Sequence, residues 1–129
     1  MKNEKGIALI LVLFTMLFIS LLVVAFVDLA TIDQQIVTNQ IYDLRTGFIA
    51  DAGVETAVYE LRQDSGYSGT GGNVEFPSGS GNTYNVTVSG STITSTGTVT
   101  DFSRTIEVDF AISGASAPYT VRINTWKEI

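Results

Sequence analysis

The sequence predicts an α+β fold in which one long N-terminal helix packs on a C-terminal four-stranded antiparallel β-sheet. Three observations predict this fold. Residues 7–27 are apolar and uncharged, apolar residues then continue at helical spacing to residue 62, and the spacing changes to a period of two from residue 84 onward. With 129 residues, the chain has room for one small domain and an anchor.

The apolar run 7–27 is long enough to cross a membrane. At about 1.5 Å of rise per residue it spans roughly 31 Å, which matches the hydrocarbon core of a bilayer. Lys2 and Lys5 precede the run and Asp28 and Asp33 follow it, so the positive-inside rule places the N-terminus in the cytoplasm. Three interpretations fit: a cleaved secretory signal, for which residues 23–25 loosely provide a cleavage site, a plain single-pass anchor, or a membrane helix with a second role.

Residues 28–62 continue the helix as an amphipathic half. The segment contains no proline, and its apolar residues recur every three or four positions. The simplest interpretation is one continuous helix from Ile7 to Arg62. Its apolar stripe is predicted to pack on the dry face of the sheet. The residues predicted to make this helix–sheet contact are Ile36, Ile41, Leu44, Phe48, Val108 and Phe110.

The remainder of the chain divides into a loop and a sheet. Residues 63–83 are rich in Gly and Ser and are predicted to form a loop. Residues 84–129 contain four segments with alternating apolar and polar residues, as in "YNVTVS" and "RTIEVDFAI". This alternation is typical of strands with one buried face, and the short connections at 89–91 and 100–103 predict hairpins.

The composition argues against several functions. The chain has no Cys and no His, which removes thiolate nucleophiles, imidazole bases and Cys/His zinc sites. Asp101, Glu107 and Asp109 lack a calcium-binding loop pattern and are interpreted as solvated strand residues. The net charge is −6, and the seven Lys and Arg residues are scattered, so no nucleic-acid surface is predicted. We therefore predict no enzyme activity, cofactor or metal site.

Two stretches resemble the type IV pilin and pseudopilin superfamily, which combines a leader ending in Gly, a long helix with an apolar first half and a β-sheet. The first is "MKNEKG" followed by "IALILVLFTMLF". The second, "IADAGVETAVYELR", is similar to a stretch of the PilX- and GspK-type minor subunits. The matching residues there are Ala50, Asp51, Ala52, Gly53, Val54, Glu55, Ala57 and Leu61.

The resemblance implies how the chain is processed and where it acts. Residues 1–6 would be a leader, cleaved between Gly6 and Ile7 by a prepilin peptidase, and Ile7 would then be N-methylated. The chain would start as a single-pass protein of the inner membrane and end in an extracytoplasmic filament. Its implied partners are membrane lipid, the prepilin peptidase, an inner-membrane assembly platform and other pilin or pseudopilin subunits.

One residue departs from the pattern of the superfamily's major subunits. They carry Glu at the fifth mature position, where it pairs with the N-terminal amine of a neighbour, and this chain has Leu11 there. Since Leu11 cannot form that ion pair, the sequence favours a minor or tip subunit of a pilus or of a type II secretion-like filament. The alternative is a membrane-anchored extracytoplasmic β-domain that binds a ligand or partner and never polymerises.

Overall fold

The computed structural model describes the chain from Lys2 to Ile129. It contains one helix, α1 (Lys2–Gln63), and five strands. These are β1 (Val74–Glu75), β2 (Thr83–Ser89), β3 (Thr92–Val99), β4 (Phe102–Ser113) and β5 (Thr120–Glu128). The strands form one antiparallel sheet in the order β1-β2-β3-β4-β5. The predicted α+β class is therefore confirmed, with five strands instead of four.

The chain divides into two compact units. The N-terminal unit ends at Asn39 and consists of α1 alone, while the head unit, Gln40–Ile129, contains the end of α1 and the whole sheet. α1 continues without interruption because residues 2–63 include no proline. It ends at Gln63, where the Arg62 carbonyl accepts a hydrogen bond from the backbone N–H of Tyr119 (2.7 Å).

The fifth strand lies inside the segment predicted to be a loop. β1 pairs with the start of β2 through Val74 and Tyr84. Two residues are too few to show a period of two, so no sequence pattern predicts this strand. The loop before it is also fixed to β2, because the Thr70 N–H donates to the Val86 carbonyl (3.0 Å). Gly69 allows this approach, since it has a positive φ of 126° and a Cβ there would meet the Val86 carbonyl.

The sheet buries one face, as the alternation predicted. Residues facing α1 include Val86, Ile93, Ile106 and Val108, each at most 4% exposed. The predicted contact residues Val108 and Phe110 both belong to this core, which confirms the sheet half of the predicted packing. The predicted hairpins also form: β2 and β3 pair up to Ser89 and Thr92, and β3 and β4 up to Val99 and Phe102.

The four residues of α1 that were predicted to contact the sheet do not belong to the core. Ile36, Ile41, Leu44 and Phe48 are 50–70% exposed, whereas the residues that α1 buries are Thr46, Ile49, Ala50, Gly53, Val54, Ala57, Val58 and Leu61. The prediction chose the stripe with the largest apolar side chains. The sheet instead packs against a face rich in small side chains, because small side chains let a helix backbone approach a sheet closely.

Small residues on both elements define the helix–sheet contact. A Cβ on Gly97 of β3 would lie 2.5 Å from the backbone nitrogen of Ala50, and it would also meet the carbonyl of Thr46. A Cβ on Gly53 would strike the hydroxyl of Ser95. That hydroxyl donates a hydrogen bond to the Ala50 carbonyl (2.7 Å) in a fully buried position. The contact therefore depends on Gly53, Ser95 and Gly97 remaining small.

Candidate assembly surface

The N-terminal unit has an uncovered apolar surface. From Ile7 to Val27 the large apolar side chains are 44–69% exposed, a range set by Leu22 and by Phe14 and Phe26. The two hydroxyls in this run bond within the helix, with Thr15 donating to the Val12 carbonyl and Ser20 to the Met16 carbonyl. A helix needs no water for its backbone groups. α1 is thus long and apolar enough to cross a membrane, by length and composition.

The residues of the predicted cleavage junction lie within α1. A Cβ on Gly6 would meet nothing within 4 Å. Ile7 and Leu11 are 63% and 62% exposed, and with Ile10 and Phe14 they line a shallow apolar depression. The position that carries Glu in the resembled major subunits is therefore on the same part of the helix surface as Ile7.

The exposed apolar side chains continue beyond the uncharged run. Leu29, Ile32, Ile36 and Val37 are each 50–56% exposed, although Asp28 precedes them and Asp33 lies among them. A stripe of this length with nothing covering it is unusual for a chain that remains alone in water. α1 therefore presents an uncovered apolar surface from Ile7 to Val37.

The head unit has an apolar groove between α1 and β5. Leu44 and Phe48 of α1 line one side, Trp126 of β5 lines the other, and Ile106 also contributes to the lining. Phe48 is 70% exposed and Trp126 is 46% exposed. The groove has a volume of about 420 Å³. Sequence reasoning assigned Leu44 and Phe48 to the core and gave Trp126 no role. The one available sequence signal was that Trp126 belongs to the last strand of the chain, which forms an edge of the sheet.

The charged residues of the groove are mainly acidic. Arg104 of β4 lies over Gly47 and forms ion pairs with Asp43 (3.4 Å) and with Glu128 of β5. Asp51 lines the groove as a further carboxylate. Two carboxylates therefore pair with the Arg104 guanidinium, and a third lies in the same groove. Such partly exposed pairs contribute little to stability, about 0–1 kcal/mol each, but they set the sign of the local potential.

The opposite face of the sheet is polar, and it combines a shallow groove of uncharged side chains with the charged residues Glu107 and Asp109. The shallow groove there is lined by Asn73, Asn85, Thr87, Thr94, Thr96 and Thr98. The hydroxyls of Thr96 and Thr105 hydrogen-bond across β3 and β4 (2.9 Å), and the Asn85 amide donates to the Asn73 side chain (3.2 Å). Some of the polar side chains on this face therefore have hydrogen-bond partners on neighbouring strands.

Two titratable groups in the head unit have shifted pKa values. Burial, with help from the nearby Glu60 carboxylate, raises the pKa of the Tyr67 phenol. The hydroxyls of Thr125 (2.7 Å) and Thr92 (2.9 Å) donate to the Asp109 carboxylate and hold its pKa below the usual range. Asp109 therefore joins β3 and β5 to β4. Among residues Lys2–Ile129, no group of three acidic or metal-binding side chains is arranged to hold a metal ion.

Asp109 predicts a specific pH dependence. A carboxylate with a lowered folded pKa stabilises the fold above its unfolded pKa, and this contribution is lost as the pH falls through the folded pKa. In Asp109→Asn we expect a lower Tm at neutral pH and a shallower loss of Tm below about pH 4. Thermal unfolding across this range is the measurement, with Asp101→Asn in the β3–β4 turn as the matched control. Identical profiles for the two variants would contradict the expectation.

No protein-family model, curated protein or solved structure matches the chain.

Proposed function

We propose that the chain is a structural subunit, of minor or tip type, of a type IV pilus or a type II secretion-like filament. The observation that carries this proposal is the uncovered apolar surface of α1, with side chains 44–69% exposed from Ile7 to Val27. A surface that extensive needs a bilayer or other protein chains around it. The resemblance of the Gly6–Ile7 junction to a prepilin cleavage site supports both environments in succession.

The first environment is the inner membrane, with the N-terminus in the cytoplasm and the head unit outside. There the helix satisfies its own backbone hydrogen bonds, and the Thr15 and Ser20 hydroxyls have partners in the preceding turn. Lys2 and Lys5 lie on the cytoplasmic side, where a prepilin peptidase removes residues 1–6 and Ile7 becomes the methylated N-terminal residue. An assembly platform in the same membrane then acts on the mature subunit.

The second environment is a bundle of helices from related subunits. Lipid tails and apolar side chains are similar in polarity, so moving the helix from membrane to filament core needs no large hydrophobic gain. Side-chain packing against several neighbours drives the transfer instead. The head unit carries the soluble surface, and its close helix–sheet contact at Gly53 and Gly97 holds the end of α1 rigidly on the sheet.

The N-terminus of the membrane-extracted chain tests this function. We expect intact-mass analysis to find a mature chain that starts at N-methylated Ile7, and we expect the same species in filaments sheared from the cell. A retained Met1 would contradict the proposal and support an anchor that never polymerises. A start at Phe26 would identify a secretory signal and would also contradict it.

The second candidate function is a membrane-anchored β-domain that binds a ligand without polymerising. The observation in its favour is the neutral groove of Asn and Thr side chains on the outer face of the sheet. Its amide and hydroxyl groups suit an uncharged, polyhydroxylated ligand. If this function holds, Thr96→Val lowers retention of the full chain on purified cell-wall polysaccharide, and the chain is missing from sheared filaments.

A further inference from the structure

The two edges of the sheet differ in how their backbone groups are paired. On the β2 side, β1 and the loop before it bond to the outer edge: the Thr70 N–H donates to the Val86 carbonyl (3.0 Å), and the Val88 N–H donates to the Ser68 carbonyl (2.9 Å). β5 forms the other edge, and within Lys2–Ile129 no further strand or loop backbone bonds to its outer side. Such an edge presents a row of unpaired N–H and C=O groups to which a strand from another chain can bond.

The pairing of β4 with β5 shows which backbone groups lie at this free edge. The Ile129 N–H donates to the Thr105 carbonyl of β4 (3.0 Å), whereas the Phe110 N–H donates to the Ser91 carbonyl (2.8 Å), away from β5. Phe110 lies opposite Ile123, and in an antiparallel pair only alternate residues bond to a given neighbour. The residues of β5 whose backbone groups point to the free edge are therefore Val121, Ile123, Trp126 and Glu128.

Two apolar side chains at this edge are only half covered. Ile123 and Trp126 lie opposite the buried residues Phe110 and Val108, so they are on the α1 side of the sheet. They are nevertheless 42% and 46% exposed. A strand beside β5 would place every second side chain next to them, and apolar side chains at those positions would remove apolar surface from water.

The other face of β5 is positively charged. The ion pairs in the described part of the chain both involve Arg104, so Arg122 and Lys127 have no ion-pair partner there. The carboxylates of Glu107 and Asp109 on β4 lie one strand further away, roughly 10 Å from an added strand, which is about one Debye length. Acidic side chains on this face of an added strand would therefore interact favourably with Arg122 and Lys127.

β5 of a second copy does not meet this requirement. If two copies of β5 paired antiparallel with Ile123 opposite Trp126, Arg122 of each copy would lie opposite Lys127 of the other. Like charges directly opposite each other destabilise a strand pair. The charges of β5 therefore favour a strand of different composition over a second copy.

We propose that the free edge of β5 binds, by strand addition, an extended segment of a different protein in which apolar residues alternate with acidic ones. Backbone hydrogen bonds to the edge provide the affinity. The apolar side chains contact Ile123 and Trp126, and the acidic ones pair with Arg122 and Lys127, which together fix the face and the register of the added strand. The inference goes beyond the proposed function, because a filament subunit and a non-polymerising anchored domain both present this edge.

Hydrogen exchange of single amides, followed by NMR on the full chain in detergent micelles, tests the inference. The probe is the synthetic peptide VEVTVEV at millimolar concentration. Its two glutamates have the same spacing as Ala111 and Glu107, the residues of β4 that lie opposite Arg122 and Lys127. The peptide reads the same in both directions, so it can add to β5 in either orientation.

The expected result is specific to alternate residues of β5. When about four-fifths of the chain is occupied, the amides at the free edge are expected to exchange at least about fivefold more slowly. The amides of β5 that already bond to β4 are expected to change little. The first group is Val121, Ile123, Trp126 and Glu128, and the second is Arg122, Thr125 and Lys127. Protection without this alternation, or no protection at all, overturns the inference.

Two further peptides test the chemistry of the partner. VVEETVV has the same composition without the alternation and is expected to give no protection. VKVTVKV reverses the charges and is expected to bind at least about threefold more weakly than VEVTVEV, because it places lysines opposite Arg122 and Lys127. Protection by either peptide equal to that by VEVTVEV overturns the inference.

Ile123→Pro tests the role of the backbone edge itself. Proline removes an N–H that points to the free edge, so the bonds to β4 are retained, whereas Ile123→Val keeps this N–H and serves as the matched control. We expect the affinity for VEVTVEV to fall at least about fivefold for proline and to stay within about twofold for valine. Thermal unfolding verifies that both variants fold. Equal affinities of the two folded variants overturn the inference, and if the proline variant does not fold, the three peptides on the unchanged chain decide.

Discussion

Gly97→Val is expected to lower the free energy of unfolding of the head unit by about 3 kcal/mol or more, the upper end of the cost of overpacking a core. For a unit of this size that corresponds to a fall in Tm on the order of 15 °C. The reason is the identity of the atoms that a side chain would meet. They are the backbone nitrogen of Ala50, at 2.5 Å, and the carbonyl of Thr46, and neither can rotate away.

The helix must therefore move off the sheet to accommodate the new side chain. That movement also breaks the buried hydrogen bond from Ser95 to the Ala50 carbonyl, which leaves the Ser95 hydroxyl unsatisfied. Valine has a higher strand propensity than glycine, so propensity alone would raise the stability of β3. The expected loss of stability therefore comes from the clash with α1.

Thermal unfolding of the full chain, followed by circular dichroism in detergent, measures this change. Gly72→Val is the matched control, because a Cβ at Gly72 would meet nothing within 4 Å and its φ is not in the left-handed region. We expect the control to unfold within a few degrees of the unchanged chain. If the two variants unfold at the same temperature, the close approach of α1 and β3 at Gly97 does not hold.

The same contact explains how far sequence reasoning could reach. Periodicity was sufficient for the sheet, since Val108 and Phe110 alternate with Glu107 and Asp109 and are buried as predicted. It failed for the contact residues proposed on α1 because α1 has two apolar faces in the head unit. One face carries Ile41, Leu44 and Phe48, and the other carries small residues around Gly53. Large apolar side chains score higher in hydropathy than Gly and Ala do. A prediction based on hydropathy therefore favoured the face of Ile41, Leu44 and Phe48 as the contact with the sheet.

Only the distance between the backbones of α1 and β3 decides between the two faces, and no local pattern encodes that distance. The resembling stretch did contain the necessary residues. Ala50, Gly53 and Ala57 are buried at the sheet, so this stretch forms part of the packing surface of the head unit. The groove beside Trp126 was not predictable, because it depends on how far α1 covers the sheet toward β5.

The exposed stripe of Ile41, Leu44 and Phe48 does not belong to the core of the head unit. Leu44 and Phe48 do not hold the head unit together, so substitutions there are expected to change assembly and leave stability nearly unchanged. Substitutions at Gly53 or Gly97 act on stability first. This division lets experiments separate the folding of a subunit from its incorporation into a filament.

On the proposed function, Leu11→Glu is expected to raise the share of the chain that enters the shaft of sheared filaments by roughly tenfold, equivalent to about 1.4 kcal/mol. The reason is the ion pair that the resembled major subunits form between Glu at this position and the N-terminal amine of a neighbour. An amine buried in an apolar bundle without a counter-charge is costly, and close charge pairs at interfaces contribute about 1.5–7 kcal/mol. Leu11 lies beside Ile7 on the helix surface, 62% exposed, so a carboxylate there would be available to a neighbour.

The substitution is tolerable in the membrane because position 11 is near the start of the apolar run, where a charged side chain can extend toward the headgroups. Leu11→Gln is the control, since it adds polarity and similar volume without charge. Quantitative mass spectrometry of sheared filaments, relative to the major subunit, measures the shaft share. An increase for Glu but not for Gln would mean that the missing charge restricts this chain to a minor or tip position. Equal shares for all three sequences would mean that Leu11 does not determine where the subunit assembles, and the assignment to a minor or tip position would then lose its basis.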